Sequence, residues 1–251
     1  MKTFLTLLGR EVKSYFYSPI AYVVMFYFLL VAGFNFYIGV EFLNRGPTEI
    51  TVVEMAFNTV PFWWAYVLIF PLITMRTYAE EYRMGTFETL TTAPVEDWMV
   101  VLGKFSGAFI FYCILWAPTF LHFAIFQLIT GQLAANASGA YWGSYLLLGL
   151  MGMFFTAIGC LASAMTRDQI NAAVISFSFI TIWFFFGLMP DIWNITDPDK
   201  REFFTYLAAL QHMADFSRGL IDSRRIVWYV SMTGLVLFAT LQVFQYRKWK
   251  A

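Results

Sequence analysis

Residues 75–104 read MRTYAEEYRMGTFETLTTAPVEDWMVVLGK. This stretch holds half of the acidic residues that precede Asp191, and it lies between two long apolar runs. A charged, helix-prone segment in that position must sit outside whatever buries its neighbours, so its reading decides the fold.

Around it, the 251-residue chain is 60% hydrophobic and 13% charged. A soluble domain carries about 45–50% apolar and about 25% charged residues, so one globular core cannot absorb this excess. Formal net charge is zero, which leaves no basic surface arguing for nucleic acid. The two cysteines, Cys113 and Cys160, lie in apolar runs. They read as small apolar fillers rather than as a disulfide framework.

A hydrocarbon core takes about 20 apolar residues as helix. Six stretches without Asp, Glu, Lys or Arg qualify: Pro19–Val40, Ala56–Met75, Phe105–Thr130, Trp142–Met165, Ile170–Met189 and Ile226–Tyr246. They are too long and uniformly apolar for the alternating strands of a membrane barrel. Arg10 and Glu11 interrupt the first residues too early for a signal peptide. Phe4, Leu8, Val12, Tyr15 and Phe16 instead recur at helical spacing, with Lys2, Thr6, Arg10 and Lys13 opposite. That pattern predicts an amphipathic helix over 1–17 lying along the membrane interface.

Loop cations set the orientation. With the N-terminus inside, Lys and Arg divide ten inside to six outside. Five of those six fall in one longer loop, 190–225, where the rule weakens. Both termini and residues 76–104 are therefore expected to be cytoplasmic. The whole of 1–251 reads as one all-α membrane domain.

The sequence argues against several activities. No GxxxxGK[ST], HExxH or CxxC occurs, so no nucleotide, zinc or redox motif is present. The expected spans carry no carboxylate or cation, the groups ion-coupled carriers keep for function. His122 is the sole near-neutral titratable group within them, and a packing role accounts for it.

The charged segment has three parts. The second span extends through Arg76–Arg83, where Glu80 and Glu81 leave the membrane, and Gly85 breaks the helix. Thr86 can cap a short helix carrying Phe87, Glu88 and Leu90, with the carboxylate in its first turn. Pro94 ends that helix, and a new one begins near Val95. Phe87 and Leu90 would share one face. A solvated loop accounts for the same residues; a docking helix for a soluble partner is the functional reading.

Ala79–Phe105, AEEYRMGTFETLTTAPVEDWMVVLGKF, resembles the loop of permease subunits of type-2 ABC exporters. There a pair of Glu, a basic residue, Gly-Thr, Glu, a Leu/Thr-rich turn and Pro precede a helix ending in Gly-Lys-Phe. The resemblance implies that Gly85, Thr86, Phe87, Glu88, Leu90 and Pro94, with Glu80 and Glu81 before them, form the coupling helix seated on an ATPase subunit. It is closest in flavour to permeases of gliding motility and of nitrous-oxide-reductase maturation. A second match is Gln211–Arg224, QHMADFSRGLIDSR, which resembles the same family's external His, Phe, Arg-Gly and Ile-Asp motif. His212, Asp215, Phe216, Arg218, Gly219 and Asp222 are the matching positions. From the residues alone, Asp191–Arg225 reads as re-entrant or interfacial helices, whose polar groups either bond one another or line an exit gate.

The resemblance implies a non-catalytic subunit of an ATP-driven exporter in the bacterial inner membrane. Two copies, or this chain and a related permease, would form the pathway among membrane lipids. Separate ATPase subunits would bind ATP and Mg. The second span, with Pro61 and Pro71, and the fifth, with Ser176, Ser178 and Thr181, would line the path. A membrane scaffold for a cytoplasmic complex and an ion-coupled carrier or channel are the alternatives.

Overall fold

The computed structural model describes residues 2–46, 50–88, 95–131, 138–193 and 197–250. Among them every regular element is a helix. In chain order these are α1 (Lys2–Phe16), α2 (Pro19–Leu43), α3 (Val52–Phe57), α4 (Val60–Thr74), α5 (Ala79–Met84) and α6 (Asp97–Trp116). There follow α7 (Thr119–Thr130), α8 (Ser138–Met165), α9 (Gln169–Ile192), α10 (Pro198–Leu207), α11 (Ala209–Ser217) and α12 (Ser223–Lys250). Six runs of the described residues are long and apolar enough to cross a membrane: Pro19–Leu43, Val60–Met84, Asp97–Thr130, Ser138–Met165, Gln169–Pro190 and Ser223–Trp249. The chain is an all-α, multi-pass membrane protein.

Helix α8 is the centre of the bundle, with α4, α6, α9, α11 and α12 packed on it. Its composition explains why. Lipid supplies no hydrophobic drive between helices, so close contact relies on small residues. Gly152 lies against the Tyr112 ring of α6, and Gly159 lies against Thr74 of α4; neither site has room for a Cβ. The Leu148 carbonyl accepts hydrogen bonds from both Tyr112 Oη (2.8 Å) and Tyr66 Oη (3.3 Å). Two buried phenols are thereby satisfied on α8, where an unbonded hydroxyl is costly. Helices α2 and α9 lie at the periphery and expose large apolar side chains, among them Phe26, Phe34, Phe179 and Phe185.

Three expectations change in detail. The second span begins at Val60, not Ala56, because Ala56 lies in α3. Thr51 and Glu54 close a capping box on α3, and Thr59 caps α4 through the Phe62 amide (3.4 Å). Two cap residues eight apart, with Pro61 after the second, separate two helices where apolarity alone showed one run. The third run, expected as one span over Phe105–Thr130, is two helices, α6 and α7, divided at Ala117–Pro118. Helix α6 starts back at Asp97, and its 20 residues alone reach about 30 Å.

The third change concerns α1. Its apolar side packs on α6 of the same chain. Tyr15 stacks on Phe111 at 5.0 Å and Phe16 meets the same ring edge-on at 5.8 Å. Leu7, Glu11 and Tyr15 make the contact stripe, against Gly103, Gly107 and Phe111. A Cβ on Gly107 would stand 2.8 Å from Glu11 Cβ. The stripe therefore lies to one side of the Phe4–Leu8–Val12 face, because α6 offers two glycines, four residues apart, for close approach.

Candidate functional site

The charged segment lies at the end of the bundle that also holds α1 and the last turns of α12. Helix α4 stops at Thr74, and the next turn is held by one buried hydroxyl. Ser163 Oγ of α8 accepts hydrogen bonds from the Tyr78 and Ala79 amides at 3.0 and 3.1 Å, and donates to the Met75 carbonyl at 3.1 Å. Helix α5 then runs to Gly85, whose φ of 72° ends it in the left-handed region that glycine tolerates. Residues 86–88 resume helical geometry.

The two glutamates of α5 face their own chain. Glu80 takes a bidentate pair from Arg76, at 2.7 Å for both contacts, and Arg76 also reaches Ser18. Glu81 pairs with Lys104 at 2.8 Å. Lys104 also donates to the Thr77 carbonyl at 2.7 Å and stands 3.4 Å from Glu11 of α1. Arg10 closes the set, 2.9 Å from Glu11 and 3.6 Å from Glu81. Lys104 is buried, its side chain 3% exposed. The orientation count takes it as a cytoplasmic cation, and the structure places it inside α6. Its charge is sustained there by two carboxylates and a carbonyl, the compensation a buried ammonium needs. Its position within the long helix leading into the third span was the available signal.

Phe87, expected to face a partner, is turned inward. It packs 4.6 Å from the Tyr82 ring and 5.4 Å from the Phe244 ring of α12. Arg247 covers the other aromatic, 4.5 Å from the Tyr82 ring centre. Lys248 pairs with Asp97 at 2.6 Å. The side chains presented outward are Arg83, Met84, Thr86 and Glu88, with Gly85 exposed between them. Leu90 and Pro94 lie outside the described residues. Ser163, Tyr82, Phe244 and Arg247 carry no local signal in the sequence; only the fold brings them to this segment.

At the opposite end, the polar side chains of the second motif bond to other residues rather than to one another. His212 is fully buried, bonded to Tyr229 Oη at 2.9 Å and the Tyr206 carbonyl at 3.1 Å. Burial, reinforced by nearby Arg225, lowers its pKa to about 4. Asp215 pairs with Arg225 at 2.6 Å, Arg218 with Glu54 of α3 at 2.9 Å, and Asp222 accepts from the Arg224 amide at 2.9 Å. Phe216 is core. Gly219, at φ 88°, closes α11 in a Schellman turn, with the Gly219 amide on Phe216 and the Leu220 amide on Asp215. These bonds tie α11 to α3 and α12 and do not join the four polar residues to one another.

The expected pathway residues diverge as well. Pro61 is exposed in the first turn of α4, and Pro71 is buried within that helix, which runs through it. Ser178 is exposed and bonds back to the Val174 carbonyl at 2.8 Å. Ser176 Oγ and Thr181 Oγ1 are buried without a hydrogen-bond partner among the described residues.

A family profile described as ABC-2 family transporter protein matches residues 50–216. That is more than half of the chain and includes α5, α8, α9 and the residue-212 motif through Phe216. No curated protein matches it. The chain belongs to the ABC-2 transporter family and is a membrane permease component of an ABC transporter.

Proposed function

We propose that this ABC-2 family member is the transmembrane half of an ATP-driven exporter. Permeases of this family associate in general with ABC ATPase subunits. In this chain, residues 79–94 receive the partner, which binds ATP and Mg, and the bundle converts nucleotide-driven closure into movement of cargo. The dimer is completed by a second copy or a related permease, in the bacterial inner membrane with both termini cytoplasmic. That α1 and the last turns of α12 share one end supports termini on one side. Apolar side chains exposed on α2 and α9 supply surface for a second permease and for lipid.

The observation that carries the reading is the two-sided character of the coupling segment. Its outward side offers Arg83, Met84, Thr86 and Glu88. Its inward side is tied to four helices: Phe87 to α12, Tyr78 and Ala79 to Ser163 of α8, Glu81 to Lys104 of α6, and the same pair to α1. A force applied at Gly85–Glu88 is therefore delivered to packed helices, and not dissipated in a loop. Packed interfaces transmit small displacements as discrete rearrangements.

The test is affinity purification in mild detergent of wild type and a Thr86→Arg variant. Thr86 is exposed, so its replacement leaves the fold in place while blocking the outer surface. Co-purification of a P-loop ATPase with wild type, reduced at least roughly tenfold by the variant, is the expected outcome; one lost interfacial anchor is worth about that much. An ATPase retained equally by both moves the docking surface elsewhere. Absence of any ATPase from wild type defeats the exporter reading.

A further inference from the structure

A cleft of about 420 Å³ lies where α1 meets α2 and α4. Small-molecule sites span roughly 300–1,000 Å³. The polar wall holds Arg10, Glu11, Arg76, Glu80, Glu81 and Lys104. Those are three cations against three carboxylates, so the wall has no net charge to attract a simple anion or cation. The other wall is apolar and formed by the two spans: Ile20 and Val24 of α2, Leu72 and Ile73 of α4. One wall of the cleft is thus charged and the other is greasy.

We propose that this cleft holds one phospholipid with a zwitterionic, amine-bearing headgroup. The phosphate sits on the guanidinium groups of Arg10 and Arg76, and the ammonium on Glu80 and Glu81. The first part of one acyl chain follows Ile20, Val24, Leu72 and Ile73. Three observations favour this occupant. Glu81 Oε2 is buried and has no hydrogen-bond partner among the described residues, and an ammonium supplies the missing donor. Arg76 spends three of its five N–H groups on Glu80 and Ser18, and Arg10 is half exposed at the mouth; both retain donors for phosphate oxygens. A balanced wall can take a zwitterion by exchanging partners, whereas an anionic headgroup meets three carboxylates with nothing to offer them. The junction of an amphipathic helix with a span is also the level at which headgroups lie.

The protein, purified with whatever subunits accompany it, is delipidated by detergent exchange and titrated by native mass spectrometry. The probes are dioleoyl phosphatidylethanolamine, dioleoyl phosphatidylglycerol and free O-phosphoethanolamine. One phosphatidylethanolamine per chain is expected, held roughly tenfold tighter than phosphatidylglycerol, the effect of about one charge-assisted hydrogen bond. Glu80→Gln is expected to weaken it by a similar factor. Ser14→Trp, at an exposed position lining the cleft, puts an indole into the cleft while leaving every charged residue in the chain, and is expected to do the same with unchanged melting temperature. Phosphatidylglycerol binding as tightly as phosphatidylethanolamine overturns the charge pairing. Phosphatidylethanolamine binding unaffected by Ser14→Trp overturns the location. Free phosphoethanolamine binding as tightly as the intact lipid overturns the lipid assignment and leaves a soluble headgroup-sized ligand.

Discussion

Replacing Lys104 with methionine removes the one ammonium that α1, α5 and α6 share. Lys104 is 3% exposed, and its partners Glu81 and Glu11 are 17% and 11% exposed. Breaking a buried pair by deleting one partner costs about 3–5 kcal/mol, since a charge is left uncompensated. Here Arg10 still stands 2.9 Å from Glu11 and 3.6 Å from Glu81, which offsets part of the loss. The Thr77 carbonyl also loses its donor, at about 1 kcal/mol. The balance places Lys104→Met near the low end, at about 3 kcal/mol. Glu81→Gln leaves Lys104 with Glu11 and Thr77 and is expected to cost about 2 kcal/mol. The double variant no longer strands a carboxylate, so its loss is expected near 3 rather than 5 kcal/mol, a coupling of about 2 kcal/mol. The assay is unfolding of the purified protein in mixed micelles, followed by tryptophan fluorescence. For a chain of this size about 3 kcal/mol corresponds to roughly 6–12 °C in Tm. A Lys104→Met protein within about 0.5 kcal/mol of wild type, the range of neutral surface changes, would refute the clasp. So would a double variant that is simply additive.

Gly152→Ala and Gly159→Ala drive a methyl group into the Tyr112 ring and Thr74 respectively; each is expected to destabilise by about 1–3 kcal/mol, read as a lower Tm. Phe87→Ala empties a site between Tyr82 and Phe244 and is expected to lower stability by about 3 kcal/mol. Thr86→Arg, beside it but exposed, is expected to change Tm little, and equal losses at both would refute the inward placement of Phe87. His212 has its folded pKa lowered to about 4, first by burial and then by Arg225, with the Tyr206 carbonyl and Asp222 acting the other way. An unfolded histidine titrates near 6.5, so the unfolded state binds the proton more readily. Its neutral form therefore stabilises fully above about pH 6.5, and that contribution is lost as pH falls toward 4, by about 3 kcal/mol. Tyr229 and Tyr206 hold the ring, and Asp215 pairs with Arg225 next to it. His212→Gln is expected to flatten Tm against pH in that window, and an unchanged slope would count against the assignment.

Much of the architecture was legible because its causes are local. A run such as Ile170–Met189 announces a span by length and composition alone. Gly85 announces a helix stop, and the structure gives it the left-handed φ of 72° that such a stop uses. Where the sequence reading slipped, the signal was present but weak beside apolarity: Pro118 divides α6 from α7, and Asn58–Thr59 divides α3 from α4. The resemblance led to the family, while the direction of individual side chains followed other rules. Phe87 turns inward because α12 brings Phe244 to it, across more than 150 residues of chain. The motif at 212–222 disperses because its residues find Tyr229, Arg225 and Glu54 before they find one another.

By itself, then, the sequence determined an all-helical membrane chain with six apolar runs and one charged excursion between the second and third. Consecutive residues suffice for that, since the cost of placing a peptide group or a charge in hydrocarbon is paid residue by residue. Only the tertiary structure decided which charges are partners. Lys104 could have been a solvated loop cation, and Glu11 a solvated carboxylate on an interfacial helix. They become a buried pair because Gly103 and Gly107 let α1 approach α6 closely, and because Ser163 turns α5 so that Glu81 meets the same ammonium. Ion pairing falls off over a few ångströms, and separations of that size between residues 11, 81 and 104 exist only after the helices have packed.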